Sequence, residues 1–483
     1  LDGWRDAGVA YAALADRIRL LILDGRIAPS TRLPAERELA AQLGVSRTTV
    51  TAAYAELRDA GYLSSVRGSG SLAQLPIRSP LLPDPVRGDM LDFSKAALPA
   101  IPQVLAAAQL AAQQLPQHIG ESGFDPVGLP VLREALAARY TARGLPTTAD
   151  QIMVTVGAQH AIALIARTIM ARGDRALVEN PSYPHAIEAL KVAGARLVPV
   201  SVTSDEGWDD VGLEQGIQRT SPSLGYLMPD NHNPTGRTMP TEQRVRVIEL
   251  AARQGTTLIA DETMGELGLD GLPEPVPFAV HGPAILIGSV GKTVWGGLRI
   301  GWIRADRTII QRLARARMSG DLGTPLVEQL IVTNLLTDFD AILEARRATL
   351  RTGRDRLVRM LGESLPDWQV PHAAGGLTVW ANLGAPVSSQ LALAARNEGL
   401  VIAAGPRFGV DGAFERFIRI PFSYPAEETA RAVAALAAAW ETAASPVAMA
   451  EIRGRTAGPA LDVDGSSTAL TLAVDADVGR PAR

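Results

Sequence analysis

The stretch GSVGKTVWGGLRIGW, residues 288–302, places Lys292 three residues after Ser289, with glycines on both sides and Arg299 seven residues further on. Of the 47 Lys and Arg residues in the 483-residue chain, only Lys95, Lys191 and Lys292 are lysines. A site that needs a nucleophilic amine has no use for arginine, whose guanidinium keeps its proton. Lys292 is therefore the candidate for covalent chemistry on a carbonyl compound. Lys191, within the helical pattern AIEALKVAGA, reads as a solvated residue, and Lys95 lacks comparable neighbours.

Upstream of this stretch, short β-branched runs alternate with helical segments. The runs are IMVTVG (152–157), RALVENP (175–181), ARLVPVSV (195–202), LGYLMPD (224–230), TTLIADE (256–262) and AILIGSV (284–290). Strands alternating with helices predict an α/β fold with a mostly parallel sheet covered on both faces. In such sheets ligands are held at the carboxyl ends of the strands, and the conspicuous residues fall there. Gly157, Ala158 and Gln159 open a helix after the first run, turning backbone N–H groups and the helix dipole toward an anion such as phosphate. Tyr183, between two prolines in ENPSYPHA, is held either for stacking on a planar group or for packing. Asn233 begins NPTG and is either a side-chain donor or part of an Asx turn. Asp261 ends an apolar strand, where a buried carboxylate calls for a cation or a protonated nitrogen.

The N-terminal 75 residues have a different pattern. VAYAALADRIRLLILDGRI carries Leu14, Ile18, Leu21 and Ile22 at helical spacing and ends near Gly25. In TRLPAERELAAQLGVSRTTVTAAYAELRDAGYL, Pro34 opens a helix, Gly44 closes it, and Ser46 caps a second with Val50, Ala53, Tyr54 and Leu57 on its apolar face. Two short helices about a glycine turn make a helix-turn-helix, with Arg47, Thr48 and Thr49 at the end that enters a major groove. SSVRGSGSLAQL follows as a short hairpin with a glycine-rich tip. These segments resemble the winged-helix DNA-binding domain of GntR-type regulators. The resemblance implies that Arg37, Arg47 and Arg67 contact the duplex and that Gly68 lets the wing approach it closely. Relatives often carry a further basic residue where Thr51 stands, so modest affinity per monomer and a need for dimerisation are expected.

Composition bounds the rest. At 47% hydrophobic and 20% charged, with a net charge of -4, the chain reads as globular and is not a general polyanion coat. Zero cysteines and six dispersed histidines argue against thiol chemistry and metal sites. No apolar run approaches the roughly 18 residues of a membrane span, so a cytoplasmic location without membrane contact is expected. The prolines at 76, 80, 83 and 85 mark a polar connector. The expected division is a DNA-binding domain over 1–75, a linker over 76–90, a large domain over 91–445 and a disordered tail over 446–483, in which ALTLAV is a candidate short strand.

Over residues 91–445 the ordered series of strand-end residues resembles the fold-type-I aminotransferases, which use pyridoxal 5′-phosphate (PLP). The resemblance implies a Schiff base between Lys292 and PLP, with Asp261 paired to the ring nitrogen and Asn233 to the ring oxygen. It places Tyr183 over the ring and Gly157, Ala158, Gln159, Ser289 and Arg299 around the phosphate. Arg419, in FERFIRIPFS, falls where relatives clamp a substrate carboxylate. Two tyrosines usual in relatives are absent: Thr263 and Met264 follow Asp261, and Phe124 stands where a phenol often reaches the partner subunit. A winged helix-turn-helix joined to a PLP-dependent fold-type-I aminotransferase-like domain resembles the MocR/GabR-type subgroup of GntR regulators. The resemblance implies a homodimeric transcription regulator that binds a double-stranded DNA operator and senses an amine, an amino acid or PLP itself. The alternative is an active aminotransferase carrying a DNA-binding appendage, which the missing phenols disfavour.

Overall fold

The computed structural model describes residues 10–23, 27, 32–66, 70–73, 90–271, 275–410 and 412–444. The expected wing-tip residues Arg67 and Gly68, nearly all of the connector, and the tail with its ALTLAV run lie outside the described residues.

The N-terminal unit comprises α1 (Ala10–Leu23), α2 (Glu36–Leu43) and α3 (Arg47–Asp59), followed by the antiparallel pair β1 (Leu63–Val66) and β2 (Gly70–Ala73). Leu14, Ile18 and Ile22 of α1 meet Leu39 of α2 and Val50, Ala53, Tyr54 and Leu57 of α3 in one core. Burying a large apolar side chain of this kind contributes roughly 1.5–3 kcal/mol. Gly44 ends α2 in the left-handed region, at φ 62°, and returns its N–H to the carbonyls of Ala40 and Ala41. Ser46 starts α3 by accepting the Thr49 N–H at 3.1 Å. The second helix opens at Glu36, two residues beyond Pro34, whose carbonyl instead accepts the Tyr54 hydroxyl at 2.9 Å.

In the large unit, β3 (Leu91–Asp92), α4 (Gln103–Gln114) and α5 (Pro130–Ala142) lead into an eight-stranded sheet. Its strands are β4 (Ile152–Thr155), β5 (Arg175–Asn180), β6 (Arg196–Thr203), β7 (Gly207–Trp208), β8 (Leu224–Leu227), β9 (Thr257–Asp261), β10 (Ile285–Ser289) and β11 (Gly301–Arg304). They lie in the order β4-β11-β10-β9-β8-β5-β6-β7. The central pairs β10–β9, β9–β8, β8–β5 and β5–β6 are parallel. The GWIR segment corrects the expected strand set. It contributes β11, antiparallel to both β10 and β4, although its four residues look like a continuation of the Lys292 loop.

Helices cover both faces, as strand alternation requires. Met153, Val178, Tyr226, Ile259 and Ile287 pack on α6 (Gly157–Ile169), α7 (Pro184–Val192) and α10 (Arg307–Arg317). Val154, Leu177, Leu227, Leu258 and Leu286 face the opposite core, with α8 (Asp210–Thr220), α9 (Thr241–Gln254) and α11 (Leu326–Leu335). Beyond these, α12 (Phe339–Ser364), β12 (Thr378–Asn382), α13 (Ser388–Asn397), β13 (Leu400–Val401), β14 (Ala403–Ala404), β15 (Phe417–Pro421) and α14 (Ala426–Ala443) build a smaller unit around its own core. That core includes Phe93 beside β3, so the chain following the connector belongs to the smaller unit. Among the described residues no helix is long and apolar enough to cross a membrane.

Candidate cofactor and ligand site

Ala158, Gln159, Tyr183, Asn233, Asp261, Ser289, Lys292, Arg299 and Arg419 all line one cavity of about 1260 Å³. Gly157 stands directly behind it: a Cβ there would lie 2.6 Å from the Arg299 guanidinium, and its φ of +79° favours glycine.

Lys292 lies three residues beyond β10, and its Nζ donates to the Ala96 carbonyl at 2.6 Å. Burial and, next, the charge of Arg419 push its pKa down to about 8. The amine therefore gives up its proton more readily than an exposed lysine does. Asp261, at the end of neighbouring β9, is buried and accepts the Tyr226 hydroxyl at 2.7 Å and the Thr263 N–H at 3.1 Å. Burial raises the Asp261 pKa, and these hydrogen bonds oppose the rise. No cationic side chain among the described residues forms an ion pair with it, so the cation anticipated for this carboxylate is not a protein group. Tyr226 has no counterpart in the sequence expectations. It sits in LGYL, on the neighbouring strand β8, and brings a phenol to the carboxylate from there.

The anion-facing side is built from backbone. α6 starts at Gly157 with no side-chain cap, so the N–H groups of its first turn lack intrahelical acceptors. The Gln159 side chain is spent elsewhere, donating through Nε2 to the His185 carbonyl at 2.9 Å, which leaves its backbone N–H as the useful donor. Arg299 adopts a left-handed φ of 51°, an uncommon state for a residue with a Cβ, and donates to the Val156 carbonyl at 3.1 Å. The Ser289 hydroxyl accepts the Gly291 N–H at 3.0 Å. Asn233 is buried with an unpartnered side-chain oxygen. A buried carboxylate without a cation, an amine of lowered pKa and an open helix start converging on one cavity fit PLP in chemistry and in size.

At the other end, Arg419 on β15 is 6% exposed and donates through Nη2 to the Ser94 carbonyl, while its Nε is buried without a partner. Lys95 corrects the expectation that it stands apart. It lines the same cavity and pairs with Asp92 at 2.7 Å, because β3 carries this segment across the mouth. Tyr183 donates to or accepts from His185 Nδ1 at 3.0 Å, and burial pushes its phenol up to about 12.

On the N-terminal unit, Arg37 and Arg47 are exposed, as is Thr48. Thr48 and Thr49 share hydrogen bonds with the capping Ser46 at 2.7 and 2.8 Å. Thr51, where relatives are often basic, donates to Glu36 at 2.8 Å.

Residues 10–72 match the family described as bacterial regulatory proteins, gntR family, and residues 88–436 match aminotransferase class I and II. The HTH-type transcriptional regulator YisV of Bacillus subtilis is 28% identical over 83% of this chain and 90% of its own length. YdcR of Escherichia coli, another HTH-type transcriptional regulator, is 28% identical over 85% and 94%. Among solved structures, the α-aminoadipate aminotransferase LysN of Thermus thermophilus superposes with a TM-score of 0.67 at 27% identity, covering 74% of this chain and 93% of LysN. The chain belongs to the aminotransferase class I and II family and, with its gntR-family DNA-binding domain, to the MocR/GabR type of GntR regulators.

Proposed function

We propose that this PLP-dependent, DNA-binding transcription regulator senses an amine or amino acid through its aminotransferase-like domain, as a homodimer. The observation that carries this reading is the segment Asp92–Ala97, which follows the connector to the DNA-binding domain. Its carbonyls accept from Lys292 (at Ala96), Arg419 (at Ser94), Ser423 (at Ala97) and Tyr424 (at Asp92). Two of those donors, Lys292 and Arg419, are the groups on which an amino acid and the cofactor would act. Ligand binding thus competes directly with contacts that hold this segment. A ligand shifts DNA binding only through unequal affinity for two arrangements, and this competition supplies the inequality.

Bound in the cavity, PLP supplies an electrophilic carbon and an electron-withdrawing ring. Lys292 offers the amine for that carbon, and Asp261, oriented by Tyr226 and Thr263, accepts an N–H from the ring. Asn233 and Tyr183 orient and cover the ring. The first turn of α6, with Ser289 and Arg299, holds the phosphate, and Arg419 receives a ligand carboxylate. Arg37, Arg47, Thr48 and Thr49 face the operator. Support for the dimer comes from the exposed apolar residues Ile119, Phe124, Met318 and Leu322, on the two chain segments that meet where Gly323 abuts the Asp125 backbone. Sedimentation tests it: the wild type should run as a dimer and Phe124→Arg should raise the dimer Kd at least about tenfold.

The test of the whole reading is the visible absorption of the protein given PLP, wild type beside Lys292→Ala, with DNA binding followed as candidate amines are added. A borohydride-reducible band that needs Lys292, and an amine-dependent change in DNA affinity, are expected. Keto-acid formation with DNA affinity indifferent to amines would instead establish the aminotransferase reading, which the lowered pKa of Lys292 favours, since a base near neutrality transfers protons efficiently.

A further inference from the structure

The cavity carries more cation than the cofactor and one carboxylate use. Lys95, Lys292, Arg299, Arg396, Arg407 and Arg419 line it, against Asp92 and Asp261. Asp92 is taken by Lys95 at 2.7 Å, and Asp261 by Tyr226 and Thr263. Arg299 is tied to the β4–α6 turn, on the phosphate side. Arg396 and Arg407 are left over, and the position of Arg407, beside Arg419, is informative.

It lies in the single 3₁₀ turn Gly405–Phe408, directly after β14, whose Ala403 pairs with Arg419 on β15. Its neighbour Phe408 presents its ring 5.0 Å from the Arg419 guanidinium. Arg407 makes no hydrogen bond or ion pair to any described residue. His185 faces the same end. Burial and then the charges of Arg407, Lys292 and Arg419 hold its imidazole below its usual pKa. Burial first and Arg407 second push Arg419 down to about 10. An anion placed among these groups is attracted by all of them. A single α-carboxylate satisfies Arg419, whose Nε is buried and unpartnered, and leaves Arg407 without a counter-charge among the described residues.

We propose that Arg407, flanked by His185, forms a subsite for a second anionic group, so that the effector is an amino acid whose side chain carries a carboxylate or another anion. This rests on the sensing function proposed above. Arg407 is exposed at the cavity mouth, so its guanidinium meets a side-chain anion without the desolvation that a deeper arginine would require.

The test uses the full-length protein saturated with PLP, titrated with L-aspartate, L-glutamate and O-phospho-L-serine beside L-asparagine, L-glutamine and L-serine. Binding is read as the shift of the visible band and, independently, as the rise in melting temperature. An acidic member of a pair should bind about tenfold to a hundredfold more tightly than its neutral partner, the worth of one charge-assisted hydrogen-bonded contact. Arg407→Gln should bring the pair level, and Arg407→Lys should keep part of the preference. The carboxylate and phosphate pairs identify which anion the subsite takes. Equal binding within every pair, or a preference that survives Arg407→Gln, overturns the subsite while leaving the sensor intact. Neutral and acidic amines that all leave both readouts unmoved overturn the sensor itself, and the subsite with it.

Discussion

Removing one oxygen atom, in Tyr226→Phe, tests how the buried carboxylate is held. The Tyr226 hydroxyl, fully buried on β8, donates to Asp261 at 2.7 Å, and Thr263 also donates to that carboxylate, its N–H at 3.1 Å. A buried hydrogen bond to a charged group contributes about 1.5–3 kcal/mol, against about 0.5–1.5 for a neutral one. Asp261 already has a pKa raised by burial, so its charge destabilises the fold progressively as pH rises from the unfolded value of 3.8 through the folded one. Losing the phenol raises that folded pKa further. The variant's penalty should therefore be larger at pH 8 than at pH 5, moving from the neutral figure toward the charged one as the carboxyl ionises. Urea melts of cofactor-free protein at the two pH values measure it, with the m-value checked for constancy. Because each pKa unit is worth about 1.4 kcal/mol, the difference between the two melts reports the shift directly. A penalty below about 0.5 kcal/mol at both values, or one larger in acid, would refute the role given to Tyr226.

Four further outcomes are expected. With Lys292 at a pKa of about 8, roughly one amine in ten is neutral at pH 7, so the rate of PLP uptake should climb about tenfold per pH unit below 8 and level off above it; a climb continuing to pH 10 would contradict the burial argument. By the same linkage, cofactor-free protein should gain stability between about pH 8 and 10.5, where the unfolded lysine binds a proton that the folded one has lost. Gly301→Ala would set a Cβ 2.6 Å from the Gly157 carbonyl carbon, backbone that cannot give way; a cost of about 1–3 kcal/mol and weaker PLP binding by absorbance titration are expected, whereas Gly362→Ala, with nothing within 4 Å, should do neither. Arg47→Ala should reduce affinity for an operator recovered by selection from genomic fragments, and either flatten the salt dependence by about one phosphate or relax one base position; unchanged binding would misplace the recognition helix.

Lys292, Asp261 and Arg419 were legible in the sequence because each contradicts its surroundings. One is a lysine in a chain that otherwise uses arginine, one a carboxylate closing an apolar strand, and one a guanidinium within an apolar strand. The helix-turn-helix was legible because capping and stop residues, Ser46 and Gly44, act locally. Tyr226, Arg407 and Lys95 were not, since nothing in LGYL, GPRF or FSKAA distinguishes a residue aimed at a site from one in a core or in solvent. Those roles arise from sheet order and from the return of β3 across the cavity, which are non-local. β11 escaped notice for a related reason: four residues are too few to show a period, and only their neighbours β4 and β10 define them as a strand.

The contact of Gly301 with Gly157 has a further bearing on how this regulator lives without its ligands. Backbone touching backbone, with no side chain between, leaves the turn before α6 nothing to reorganise into. Its conformational entropy is lost when the chain folds and not when a phosphate arrives, so the empty protein already has its receptor loop in place. PLP binding on this reading therefore orders little new backbone at that turn.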